Sequence, residues 1–501
     1  MRARIIVGIL LLSSLVLISL WVRLAPDVHS QGEAPATAKA NVSVRPRAKD
    51  EDEGIWAIEN QLVPPFLAKD RLVSPRGVLS RMKELRVPGL SLAVVRKGEL
   101  SWTKAYGVAD VSNGRAATIH TLFQAASLSK PVAAVAALSL VQSGRISLDE
   151  DVNQKLVSWK VPDSETNVFR KVTLRRLLSH SAGLNVEGFP GYPSNAPQPN
   201  LRQILEGQSP ANTPPVRLQF EPGLQYHYSG AGYEVVQLLI NDLTGSRFED
   251  VVQEKVLQPL EMADSTYDPT SGPPHDLAIG YTGEGKPIEG GHYVYPELAA
   301  AGLWTTAADF ARFGAELQRA REGRSTRVLS RDTVTEMLSE QMKPSGLGFE
   351  LHDGAAKWFL HTGMNLGFQS LALFNDRGDG VVVMTNSDTG MILAREVVAT
   401  IARAYGWNDY YPQERPSVSI TAEELKEYAG SYSAGRFGTI VVQARNDRLL
   451  IGTESRPSIE FFPESDLMFF PETPGYKARF RRNFLGRVNA ISFGKLVAPK
   501  T

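Results

Sequence analysis

The chain has 501 residues, enough for two or more domains and a sizeable core. Its 54 Lys and Arg balance 54 Asp and Glu, which points away from nucleic acid and from an acidic partner surface. It has no cysteine, which excludes disulfides, thiolate metal sites, a Cys nucleophile and a lipoprotein anchor. The histidines are scattered and no H-E-x-x-H occurs, so neither a metal nor a cofactor is expected.

At the N-terminus Arg2 and Arg4 precede an uncharged apolar run, residues 5–22, closed by Arg23. Residues 1–30 read as a signal peptide or a signal anchor, and the run is close to the shortest that spans a bilayer. The expected location is outside the cytoplasm: periplasmic or extracellular, or membrane-anchored through residues 5–22. Residues 31–54 are Ala, Pro and charge without apolar period and read as a disordered linker.

Residues 55–411 read as the main domain. Leu72, Val73, Val78, Leu79, Met82 and Leu85 recur at helical spacing up to Val87-Pro88-Gly89. Leu90–Val95, Lys97-Gly98 and Leu100–Tyr106 make a β-hairpin pattern. Leu148–Leu178 reads as helical with short loops. Asn185–Gly223 is a long Gly- and Pro-rich loop, a length that is usually functional or disordered. Helices are expected over Tyr233–Leu243, Phe248–Leu257, Thr305–Gln318 and Ile392–Ala404, and strands over Gly367–Phe374 and Gly380–Thr385. Pro412–Ser419 is the boundary. Residues 420–501 alternate as short strands and read as a small antiparallel β-barrel or sandwich. Phe461, Phe462, Phe469, Phe470, Phe480 and Phe484 are its candidate core. The basic cluster Lys477, Arg479, Arg481, Arg482 and Arg487 reads as a solvated strand face in preference to an anion site.

One stretch organises the chemistry. Ser127-Leu128-Ser129-Lys130 opens an Ala, Val and Leu run, with Pro131 suited to a first helical turn. On a helix, Ser127 and Lys130 lie one turn apart on one face. A lysine held neutral can take the serine proton, and the helix N-terminus favours the oxyanion of acyl transfer. The same spacing at Ser80–Lys83, Ser101–Lys104 and Ser492–Lys495 opens no comparably apolar run.

Two further segments follow in order: PGLQYHYSGAGY from Pro222 to Tyr233, and His361-Thr362-Gly363. With Ser127 to Lys130, and with the flanking VPGLSLAVV, LLSHSAGL, AAGLWTTAADFARF and LHTGMNLGFQS, the chain resembles the serine β-lactamase and penicillin-binding-protein superfamily. Its class C β-lactamase, DD-peptidase and related esterase branch is the best match, over residues 75 to 405. The resemblance implies an α+β fold, an antiparallel sheet flanked by helices with a helical subdomain, the C-terminal β domain being additional. It implies Ser127 as nucleophile with Lys130, and it selects Tyr228 over the rival Tyr226 as the phenol that shares the lysine's proton. It implies an oxyanion hole from the backbone N–H groups of Ser127 and Met364. His361, Thr362 and Gly363 would line the substrate strand, His361 holding a substrate carboxylate or relaying protons.

Two positions depart from that pattern. Gly230 stands where the branch usually has an Asn that contacts the substrate amide, and His361 stands where many β-lactamases have Lys. The expected activity is hydrolysis of esters or D-amino-acid amides and peptides, β-lactams included, through a Ser127 acyl-enzyme. The expected partner is a small-molecule or peptide substrate. The alternative is a non-catalytic binding or sensing protein on the same fold.

Overall fold

The computed structural model describes residues 50–69, 75–163, 170–271, 275–435, 438–453 and 456–501. The segment 1–30, most of the linker, and Leu72 and Val73 lie outside these. The chain forms two compact units, one from Met82–Ala394 and one from both chain ends, up to Arg81 and from Arg395 onward.

The central unit is built on a seven-stranded antiparallel sheet. Its strands are β1 (Gly89–Arg96), β2 (Glu99–Asp110), β3 (Arg115–Ala116), β4 (Glu350–Asp353), β5 (Lys357–Asn365), β6 (Phe368–Asn375) and β7 (Gly380–Thr385). They lie in the order β3-β2-β1-β7-β6-β5-β4. The β1–β2 hairpin turns on Lys97 and Gly98, both at positive φ, as a two-residue hairpin requires. β1, β6 and β7 are almost wholly buried, which explains their near-continuous apolar sequences.

Four helices bear on the site: α1 (Ser129–Gln142), α2 (Gly230–Thr244), α3 (Leu298–Ala301) and α4 (Ala307–Arg321). α4 lies against the sheet, where Gln318 Nε2 donates to the carbonyls of Asn375 (2.9 Å) and Asp379 (2.8 Å). α1 is buried on every side, which is why its sequence is apolar all round instead of striped. It packs against α2 and α3 in a helical lobe.

Several expectations change. Among the described residues of 148–178, a 3₁₀ turn at Val152–Gln154 and a short helix at Leu174–Leu178 take the place of the expected helical run. Polar caps, Asp151 and Thr173, start new turns there instead of continuing one helix. The long loop contains a strand, Tyr192–Pro193, paired with Tyr293–Val294, and a capped helix, Leu201–Glu206. A helix over Asp50–Asn60 takes in residues 50–54 of the linker reading.

In the other unit an eight-stranded antiparallel sheet runs from Gly430–Ser433 to Leu496–Pro499 in chain order. A bridge between Tyr432 and Lys500 brings its first and last strands together, making a nearly closed barrel. Phe461, Phe469 and Phe480 are buried inside with Tyr428 and Tyr432, while Phe462 and Phe470 are buried on the other face of the sheet with Phe66 and Ala68. Phe484 is 95% exposed on the turn before Val488, so it is not core. Lys477, Arg479, Arg481, Arg482 and Arg487 are exposed, and Arg482 pairs with Glu427 at 2.6 Å.

Candidate active site

Ser127 sits on a 3₁₀ turn, Ala126–Leu128, that leads into α1. The expected helix N-terminus is therefore two residues later than the serine. Pro131 falls in the first turn of α1, where its missing N–H leaves no bond unmade. Ala126 is held at φ 51°, a left-handed conformation that costs a residue with a Cβ. Ser129 fixes the turn: its Oγ donates to Ala126 O at 2.6 Å and accepts from Leu303 N at 3.0 Å.

Lys130 is 2% exposed. Its Nζ donates to Ser127 Oγ at 3.0 Å and to Ala300 O, on α3, at 2.9 Å. Both acceptors are neutral. The ammonium nitrogen also lies 5.1 Å from the ring centre of Tyr228 and 5.6 Å from that of Tyr233.

Tyr228 is half-buried just before α2, which is capped by the Ser229 hydroxyl accepting from Gly232 N at 3.3 Å. The ring stacks on His180, with centres 4.2 Å apart. His180 Nδ1 accepts from Ser229 N at 3.1 Å, which assigns the ring proton of the neutral form to Nε2. His180 belongs to the LLSHSAGL stretch, and its place under Tyr228 was not legible from spacing alone. Tyr226 meets His180 edge-on, with ring centres 6.0 Å apart.

His361, Thr362, Gly363 and Met364 lie on β5. Gly363 and His361 face inward and are buried, while Thr362 and Met364 are half-buried on the opposite face. β4 pairs with β5 only as far as Leu360, so among the described residues no strand takes up that edge of β5 from His361 to Asn365. A Cβ at Gly363 would collide with the Ala125 carbonyl and with Ser370 Oγ. The glycine is thus required by the turn that carries Ser127, and Ser370 Oγ locks that turn by donating to Ala125 O at 2.9 Å. Asn365 Nδ2 adds a bond to Gln124 Oε1 at 3.0 Å.

His361 is 3% exposed, and its ring centre lies 6.2 Å from that of Tyr228. Burial, and then the positive Lys130, hold its pKa down to about 3. Its Nδ1 is 2.7 Å from Thr362 O. A carbonyl only accepts, so Nδ1 carries the proton and Nε2 a lone pair. A neutral ring of this tautomer is a poor clasp for a substrate carboxylate and a good acceptor for an O–H or N–H.

Gly230 is the first residue of α2, and its N–H donates to Glu187 O at 3.0 Å. A Cβ there would stand 2.8 Å from Phe189 Cε2. The long loop therefore puts an aromatic ring beside the position where the branch carries an amide. The loop is fastened by Ser229 Oγ donating to Asn185 O at 2.9 Å, and Val186 is held at φ 60°. Among the described residues, no group of three or more metal-ligating side chains converges.

An antiparallel sheet, a helical lobe and a Ser-x-x-Lys turn against an open β5 edge make the architecture of penicillin-binding proteins and serine β-lactamases. A family model described as Beta-lactamase matches residues 76–403, and the chain belongs to that family. Esterase EstB of Burkholderia gladioli is 30% identical over 214 residues, 41% of this chain and 54% of that protein. Protein flp of Staphylococcus aureus strain N315 is 26% identical over 204 residues, 40% of this chain and 39% of its own. The aligned stretches thus span less than two thirds of either relative. Among solved structures, an octameric penicillin-binding protein homologue from Pyrococcus abyssi superposes with a TM-score of 0.59 at 20% identity, covering 84% of this chain and 98% of its own. The D-amino acid amidase of Ochrobactrum anthropi SV3 gives a TM-score of 0.53 at 24% identity, covering 65% and 97%. Likeness at these identities shows the fold alone.

Proposed function

We propose that the protein is an exported serine hydrolase that forms an acyl-enzyme on Ser127, with esters as its main substrates and D-amino-acid amides or peptides as the neighbouring class. The observation that carries this is the contact of the buried Lys130 Nζ with Ser127 Oγ at 3.0 Å. Once Lys130 has given up its own proton, its amine takes the Ser127 proton as Oγ attacks the carbonyl carbon. The carbonyl π pair becomes the oxyanion, held by the N–H groups of Ser127 and Met364. Collapse expels the alkoxide, which leaves with the proton relayed by Lys130 and Tyr228. Water then reverses the sequence and frees the acid.

The weight on esters comes from two residues. His361 is neutral and brings no cation for the carboxylate of a peptide end. Gly230 brings no side-chain amide, and Phe189 occupies the adjoining space. The name of the esterase relative agrees with this weighting.

A fluorescent phosphonate should label the wild-type chain and fail to label Ser127→Ala. Lys130→Ala should label about 10²–10⁴-fold more slowly. Undiminished labelling of Ser127→Ala would remove the assignment. Export rests on the charged-then-apolar residues 1–23. N-terminal sequencing decides it: a start near Gln31 means a cleaved signal, and an intact start in membranes means an anchor. Full-length protein confined to the cytosol would contradict both.

A further inference from the structure

Behind Lys130 lie two carboxyl groups that the reaction does not use. Glu234 follows Tyr233 on α2, and Glu297 precedes α3 as its N-cap residue. Both are 0% exposed, and none of their four carboxyl oxygens has a hydrogen-bond partner. The Ala300 N–H near Glu234, and the Glu297 N–H and the Tyr192 hydroxyl near the Glu297 carboxyl, stand outside good hydrogen-bond geometry. Two buried carboxyls without donors are not left by chance in a well-packed core, because each costs free energy unless neutral or paired.

Their placement ties them to the lysine. Gln237, one turn after Glu234, accepts from Ala299 N at 3.0 Å and so fastens α2 to α3. That contact turns the Glu234 side of α2 toward the start of α3, where Glu297 sits. One residue beyond Ala299, Ala300 O accepts from Lys130. One residue before Glu234, Tyr233 lies against the same ammonium.

We propose that Glu234 and Glu297 are coupled through space to Lys130 as a single electrostatic unit, and that these positioning residues set how readily Lys130 exchanges a proton with Ser127. The link to Ser127 rests on the hydrolase reading; the coupling itself does not. Among the described residues, the ionisable groups facing the unit are Tyr192 and Tyr295 beside Glu297, Tyr233 next to Glu234 in the chain and against Lys130, and Tyr228 and His361 by Lys130. Burial raises Glu297 to about 8. Burial and then Glu297 raise Glu234 well above the usual range, while Lys130 pulls it down. When both carboxyls are protonated, Lys130 faces only neutral acceptors and is a competent base. When the unit loses a proton, a carboxylate stabilises the ammonium, and the lysine holds its proton instead.

The sign for stability follows. A carboxyl raised on folding stabilises the fold fully below its unfolded pKa, near 4.5, and that contribution is lost as pH rises toward the folded value, about 8 for Glu297. Glu297→Gln and Glu234→Gln should therefore each flatten the fall in melting temperature between pH 5 and 9. The deciding experiment is a cycle of Glu234→Gln and Lys130→Met, with melting read across that range. The effect of Glu234→Gln should differ between the two Lys130 backgrounds, and the difference should grow with pH. Equal effects in both backgrounds at every pH would overturn the coupling. Phosphonate labelling adds the catalytic arm. Without the carboxylate at 234, the acidic limb of the labelling profile should move down by about one pH unit, up to roughly tenfold in rate on that limb. An unmoved limb would overturn the link to the base. If the wild type takes no label, the hydrolase reading fails, and the cycle still decides whether the three groups titrate together. Should Glu234→Gln not fold, Glu297→Gln against Lys130→Met carries the same expectation.

Discussion

Position 230 shows how one missing side chain is answered elsewhere in the chain. A glycine alone would leave room for an introduced amide, but the Phe189 ring stands where the new Cβ would go. Gly230→Asn by itself should therefore strain the start of α2, costing about 1–3 kcal/mol as overpacking does. It should not improve acylation by β-lactams. Phe189→Ala with Gly230→Asn should raise the rate with penicillins or D-Ala-terminated peptides relative to esters by roughly tenfold, the worth of one well-placed hydrogen bond. A double variant with an unchanged ratio would clear position 230 of any part in substrate choice. His361 makes a second residue-scale prediction. Its folded pKa of about 3 lies below the unfolded value near 6.5, so the neutral form stabilises the fold. That contribution is complete above pH 6.5 and is lost as pH falls toward 3. His361→Gln should melt with a shallower acid decline than wild type over that window, and any activity limb between pH 5 and 8 should keep its position. A limb that disappears in His361→Gln would mean the ring titrates during the reaction.

At the scale of elements, the sequence was most legible where a single periodicity decided the outcome. The β1–β2 hairpin, β6, β7, α4 and the alternating strands of the barrel follow directly from runs of apolar residues and turn residues. The described residues of 148–178 were not legible, because Asp151 and Thr173 cap separate short turns there instead of one helix carrying a single stripe. In the site, Ser127, Lys130 and Tyr228 were legible as a constellation, and the structure places Lys130 against both others. Phe189, His180, Glu234 and Glu297 were not. Each acts by meeting residues distant in the chain, and no local spacing records that. Gly314 on α4 is a similar case. A Cβ there would run into the Phe374 ring of β6, so this glycine sets how closely α4 approaches the sheet. Gly314→Ala should gain a little helix propensity and still lose about 1–3 kcal/mol through overpacking. Urea denaturation measures it, and Phe374→Leu in the same chain should recover part of the loss. A stabilised Gly314→Ala would show that the contact yields at little cost.

At the scale of the whole chain, the two ends are joined in one unit by charge as well as by apolar packing. Arg81 Nη2 reaches Glu396 Oε1 and Glu472 Oε1, each at 2.6 Å, and Arg76 Nη2 reaches Glu472 Oε2 at 3.2 Å. The side chains of Arg81, Glu396 and Glu472 are 5%, 2% and 1% exposed. Arg81 and Glu472 stand 391 positions apart in sequence, so this cluster forms only once the C-terminal barrel strands and the helix at Val78–Leu85 are both in place. Burial pushes the Glu396 carboxyl up, and Arg81 opposes that. Arg81→Ala leaves two carboxylates buried with less positive charge, which should cost about 3–5 kcal/mol in urea denaturation at pH 8. The cost should shrink toward pH 5, because the stranded Glu396 carboxyl, already pushed up by burial, can then take up a proton. Replacing the three buried members tests the same physics from the other side. Arg81→Met with Glu396→Leu and Glu472→Met removes the buried charges and leaves only the partly exposed Arg76, and should restore most of the loss. If Arg81→Ala is as stable as wild type at pH 8, the cluster is solvated in solution and the joining of the two ends rests on Phe66, Ala68, Phe462 and Phe470, the apolar contacts of the same unit.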